Sequence, residues 1–232
     1  MSDILTCRKQ GRPHTYRFPW ANFTELLQTR AAEWGDKDAL IFRDADSDRR
    51  TSLTYADLDR ITGKIAGSFH HHYGIEPGDC VSIALPNCIE TPLLTLALFR
   101  LGATSVPLDL KRDTPDRKQF KVTDSGSRLI CALAESVEKE SGVLPDHRVI
   151  AVEDLLDGGS GSDADMEPSW SGTPELEKHT NIVLYTSGTT GAPKGSCLTR
   201  QSLASNADGI NKWLRFDETD RLSLVLPLHH VN

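Results

Sequence analysis

The sequence has no C-x-x-C pair, and its five cysteines (Cys7, Cys80, Cys88, Cys131 and Cys197) stand far apart and odd in number. That spacing excludes a zinc ribbon and gives no disulfide framework, so reduced thiols in a cytoplasmic setting are expected. No apolar run approaches the length of a membrane-spanning helix. Met1 to Gln10 carries Arg8 and Lys9, but no apolar stretch of signal-peptide length follows. Basic runs interleaved with aromatics are missing, and the net charge is −7. A nucleic-acid surface is therefore not expected. There is no internal repeat, and one low-complexity stretch alone, Gly158-Gly159-Ser160-Gly161-Ser162.

What is present is a phosphate-site pattern. Tyr185 to Gly195 reads YTSGTTGAPKG. Thr186, Ser187, Gly188, Thr189, Thr190 and Gly191 offer little side-chain bulk, many backbone N–H donors and several hydroxyls. Lys194 adds a cation. These are the groups that surround a polyphosphate. The apolar run Asn181 to Tyr185 predicts a buried strand before the loop, and Thr199 to Leu214 predicts a helix after it. The nucleotide-triphosphatase P-loop requires glycine immediately before the lysine. Pro193 stands there, with a fixed φ and no N–H, so that motif is excluded.

The remaining pattern predicts an α/β protein. An amphipathic helix is expected over Thr24 to Trp34, and a strand pair over Ala39 to Arg43 and Thr51 to Leu53. Thr54 is a candidate N-cap with Asp57 three residues on. Leu58, Ile61, Ile65 and Phe69 then follow at helical spacing, and Gly74 ends the helix. Strands are expected at Cys80 to Leu85, Thr104 to Leu108, Arg128 to Leu133 and Val149 to Val152. Helices are expected at Ile89 to Leu101 and Pro115 to Thr123. Such alternation predicts a mostly parallel sheet flanked by helices. The acidic, Gly/Ser-rich stretch 157–179 reads as a linker. It divides a first α/β subdomain (1–156) from a phosphate-loop segment (180–232) that begins a second.

TSGTTG-x-PKG resembles the phosphate-loop signature of the AMP-forming adenylate ligases: acyl-CoA synthetases, peptide-synthetase adenylation domains and luciferases. Leu53 to Leu58 is similar to the family's LTYxEL element. Leu101 to Asp109 is similar to GAxxVPL(D/N), and Pro227 to Asn232 to PLFHxxG. The resemblance runs from about Phe23 to Asn232 and is nearest to acyl- or aryl-CoA ligases. It implies that the chain is the partial N-terminal domain of that fold. It also implies activation of a small carboxylic acid with ATP and Mg2+, followed by transfer to coenzyme A. The Y-x-x-TE element, a ribose-binding Asp, a hinge and a C-terminal domain with a catalytic Lys are absent. An N-terminal fragment, inactive without that C-terminal part, is therefore expected.

By resemblance, Thr186, Ser187, Gly188, Thr189, Thr190, Gly191, Lys194 and Gly195 contact ATP or pyrophosphate. Lys194 and His230 are the catalytic candidates, His230 lying near the acid pocket. His229 stands where the family usually has an aromatic residue, and Ser196 where it often has Val or Ala. No metal ligands are expected within the chain. His70, His71 and His72 are consecutive, so on a helix they point in different directions. Asp109, at a strand end, reads as a turn or helix-start residue. Two alternatives stay open: a nucleotide-binding regulatory remnant, or a peptide-synthetase-type adenylation domain. A phosphotransferase is disfavoured by Pro193.

Overall fold

The computed structural model describes residues 7–9, 12–14, 19–44, 49–157, 179–186 and 193–229. The elements are β1 (Cys7–Lys9), β2 (Arg12–His14), α1 (Phe23–Trp34), β3 (Asp38–Arg43), β4 (Arg50–Thr54) and α2 (Tyr55–His71). They continue with β5 (Cys80–Ala84), α3 (Glu90–Leu101), β6 (Thr104–Pro107), α4 (Pro115–Ser125), β7 (Ser127–Ala132) and α5 (Val137–Val143). The last are β8 (Val149–Ala151), α6 (Val152–Asp157), β9 (Thr180–Thr186), β10 (Lys194–Thr199) and α7 (Arg200–Leu214). The expected fold class stands: six strands form one sheet in the order β10-β9-β6-β5-β7-β8, parallel except for β10.

The central strands are apolar on both faces because helices cover both. Val81, Ile83, Leu129 and Cys131 point toward one core, which also holds Ile65 and Phe69 of α2, Leu94 and Leu98 of α3, and Leu155 of α6. Ala84, Ile130 and Ala132 point the other way, into a smaller core with Val122 of α4 and Leu144. The two-residue alternation along β5 and β7 thus sorts side chains between two helix layers.

Local signals set the helix ends. Thr54 and Asp57 form the full capping box: Thr54 Oγ1 accepts from Asp57 N at 3.1 Å, and Asp57 Oδ2 accepts from Thr54 N at 3.2 Å. Gly102 and Gly126 close α3 and α4 with φ of 72° and 64°, a conformation that costs glycine little. Helix α4 turns two lysines inward. Lys118 pairs with Glu140 at 2.6 Å and Lys121 with Asp113 at 2.6 Å, all four side chains being nearly inaccessible.

The structure departs from the sequence reading in two places. The loop does not run straight into a helix: Lys194–Thr199 is a strand, antiparallel to β9, and only then does Thr199 cap α7. Its sequence KGSCLT has little apolar content and its first four residues are exposed, so periodicity does not reveal it. Backbone pairing with β9 forms it instead. Second, the segment after residue 179 adds β9 and β10 to the sheet already begun by β5 to β8, rather than opening another. Thr104 Oγ1 donates to Thr180 O at 2.6 Å and fastens that junction. Helices α5 and α6 and the short β1–β2 ribbon were also not legible. Residues 158–178 of the expected linker lie outside the described residues.

Candidate functional site

The connection leaving β5 leads to α3 on one face of the sheet, and the one leaving β6 leads to α4 on the other. A crevice must open beyond the carboxyl ends of these two neighbouring strands, where such sheets place ligands. The segment Leu226–His229 lies across it. Asn87, just after β5, donates from Nδ2 to Leu226 O at 3.0 Å, and its Oδ1 accepts from Leu228 N at 2.9 Å. Beyond β6, His229 Nε2 stands 3.2 Å from Asp109 Oδ2.

The phosphate-loop pattern spans the end of β9 and the start of β10. Thr186 and Lys194 are directly opposite in the register, and both are exposed. The hairpin therefore presents one hydroxyl and one ammonium side by side at the carboxyl end of a parallel strand. Gly195 follows, opposite Tyr185. A Cβ there would lie 3.0 Å from Val183 Cγ1 and 3.3 Å from the Tyr185 ring, so glycine at this position permits close packing within the strand pair. Of the other candidates, Ser187, Gly188, Thr189, Thr190, Gly191 and His230 lie outside the described residues.

Tyr185 ties the hairpin to α4. Its hydroxyl donates to Asp124 Oδ2 at 2.7 Å, with Lys121 O at 3.2 Å. Burial, reinforced by the Asp124 carboxylate, pushes the phenol well above its ordinary value. It remains a protonated donor across the physiological range.

Between β6, α4, the base of the hairpin and His229 lies a polar cleft of about 90 Å³. Its lining includes Asp109, Arg112, Asp113, Arg117, Lys121 and His229. Asp109 is a turn residue, as its position implied: Oδ1 accepts from Lys111 N and Arg112 N, each at 3.0 Å. Burial alone would raise its pKa. The two backbone donors, with the charges of His229 and Arg112, outweigh that and hold the carboxyl below its ordinary value.

The structure brings Thr186 and Lys194 together and places His229 near Thr186 across the cleft. The three consecutive histidines separate only in part: the rings of His70 and the exposed His71 meet edge-on with centroids 4.7 Å apart, while His70 Nδ1 lies 3.3 Å from Ile75 O and His72 Nδ1 lies 3.3 Å from Ser68 Oγ. Sequence reasoning missed Asn87, Arg112, Arg117 and Lys121. No motif marks them; only the crevice at the reversal of strand order points to the loop after β5, and to the loop and helix α4 after β6, that carry them.

Comparison with known proteins agrees with this geometry. The sequence pattern of the family described as "AMP-binding enzyme" matches residues 27–232. The chain is 33% identical to an oxalate–CoA ligase of Arabidopsis thaliana over 89% of its length. It is 32% identical to a 4-coumarate–CoA ligase of Pinus taeda over 87%. It spans only 40% and 38% of those two relatives. Among solved structures, the o-succinylbenzoate coenzyme A synthetase of Bacillus subtilis in complex with AMP superposes with a TM-score of 0.76 at 27% identity. That match covers 91% of this chain and 50% of the other.

Proposed function

The chain belongs to the AMP-binding enzyme family, and from that premise we propose that it is the N-terminal part of an AMP-forming acid–CoA ligase. In the first step a carboxylate oxygen attacks the α-phosphorus of ATP. The bond to the β-phosphate bridging oxygen breaks, and pyrophosphate leaves with the electron pair. In the second step the thiol of coenzyme A attacks the acyl carbon of the adenylate, loses its proton and expels AMP.

The observation that carries this reading is the hairpin at the sheet's carboxyl end, where Thr186 and Lys194 face each other across its two strands. Charge accumulates on the departing pyrophosphate, so catalysis rests on donors held ready for it. The Thr186 hydroxyl, the hydroxyls of Ser187, Thr189 and Thr190, and loop backbone N–H groups would bind phosphate oxygens. Lys194 would offset their charge. Gly188 and Gly191 would let the loop close on the nucleotide. Mg2+ would arrive on ATP and screen the same oxygens. His230 would line the carboxylate side.

The acid is a small organic carboxylate. The relatives' names cover oxalate, 4-coumarate and sulfoacetate, each acting with CoA. No helix among the described residues is long and apolar enough to cross a membrane. Cys80, Cys88, Cys131 and Cys197 are unpaired thiols, which suits a reducing cytoplasm. The 232 residues alone would turn over little or no substrate. ATP–pyrophosphate exchange by the full-length protein over a carboxylic acid panel tests the reading. Exchange with one or more acids supports it, and none with any acid defeats it.

A further inference from the structure

We propose that the cleft between Asp109 and His229 is an oxyanion subsite, in which Arg112 and Arg117 take a carboxylate, sulfonate or phosphate group. The chain as a whole carries a net charge of −7. This cleft reverses that balance, with Arg112, Arg117 and Lys121 set against Asp109 and Asp113.

Both carboxylates are already engaged. Asp113 holds Lys121 Nζ with Oδ1 at 2.7 Å and Oδ2 at 2.6 Å, and Oδ2 also accepts from Asp109 N at 2.9 Å. Asp109 is taken up by its two turn donors and His229. The field of Arg112 reaches Asp109, yet no ion pair or side-chain hydrogen bond engages either guanidinium among the described residues. Two planar forks therefore line a cleft whose anions are spoken for, and Arg117 is partly buried there. A guanidinium matches an oxyanion with two parallel N–H donors, which a lysine cannot do. The space, about 90 Å³, exceeds what a single water needs and suits one such group.

The cleft also touches Thr186 and Pro193, which flank the phosphate-loop residues, and ends at His229. Under the ligase reading, on which the choice of source rests, the oxyanion comes either from a second acidic group on the acid or from the nucleotide's phosphates. Isothermal titration of the 232-residue chain with malonate, inorganic pyrophosphate and acetate separates these sources. Malonate or pyrophosphate should bind more tightly than acetate. Arg112→Gln and Arg117→Gln should each weaken that binding by about tenfold. Arg117→Lys should recover only part of the loss. Dependence confined to malonate assigns the acid, and dependence confined to pyrophosphate assigns the nucleotide.

If Arg117→Gln unfolds the chain, the exposed Arg112 variant decides. Absence of binding, or binding that responds to Lys194→Ala and to neither arginine variant, overturns the proposal. An exchange assay that fails with every acid defeats the ligase reading while leaving this titration intact. Exchange with monoacids that is untouched by both arginine variants, beside malonate and pyrophosphate binding that is equally untouched, keeps the ligase and removes the subsite.

Discussion

Asn87 and Leu228 are joined as two strands would be: Asn87 Oδ1 accepts from Leu228 N at 2.9 Å while Nδ2 of the same amide donates to Leu226 O at 3.0 Å. One side chain thus holds a segment whose own residues Leu222, Leu224 and Val225 are 74%, 67% and 83% exposed. Asn87→Ala removes both bonds at an exposed position. It should lower global stability by only about 1 kcal/mol, yet strip the Leu228 amide of protection in hydrogen exchange. Protection that survives the change would show the segment to be held by something else.

Lys194 is the first residue of a strand but is exposed and supports no core. Lys194→Ala should slow pyrophosphate exchange in the full-length protein by about a hundredfold or more. Unfolding free energy should stay within about 0.5 kcal/mol. Unchanged exchange with a large drop in melting temperature would reverse its assigned role.

Gly195 behaves oppositely. Its neighbours leave 3.0 Å to Val183 Cγ1 and 3.3 Å to the Tyr185 ring for any added Cβ. Gly195→Val should destabilise the chain by about 1–2 kcal/mol, read from urea unfolding, because the Val183 side chain and the Tyr185 ring must shift to admit it. A neutral result would mean that Val183 and Tyr185 yield freely.

Lys118 and Glu140 are 5% and 2% exposed and pair through both carboxylate oxygens. Lys118→Met leaves a buried charge without a partner and should cost about 3–5 kcal/mol. Lys118→Met with Glu140→Leu should recover most of that loss. Additive losses in the double variant would contradict the account.

Asp57 gives the pH prediction. The Thr54 backbone N–H, then the Thr54 hydroxyl and Arg60, hold its carboxyl below the ordinary value. A folded-state pKa that is lowered adds stability above the unfolded pKa, and the gain is lost as pH falls through the folded one. Asp57→Ala should therefore cost about 0.5–1 kcal/mol at neutral pH. The gap to the parent should close below about pH 4. A gap that persists in acid would place the effect outside the carboxylate.

The elements legible in the sequence were those whose signal is local. Thr54 and Asp57 announce α2, Gly74 marks its end, and the runs at Cys80 and Thr104 read as strands because both faces are buried. Lys194 to Thr199 was not legible as a strand, since its partner β9 supplies the pairing and its exposed side chains carry no period. Asn87, Arg112 and Arg117 had no motif at all, because their roles depend on loops far apart in the chain.

The order of residues alone determined the hydroxyl- and glycine-rich loop with its lysine and the alternation of strands and helices, for these rest on side-chain chemistry and short-range periodicity, and the resemblance of that loop to a known signature pointed to the family. Tertiary structure alone decided that β9 and β10 join the same sheet as β5 and that Thr186 stands opposite Lys194. It also decided that two arginines share a cleft with His229. Strand order and cross-strand register are fixed by burial and backbone pairing between distant segments, and no local pattern encodes them.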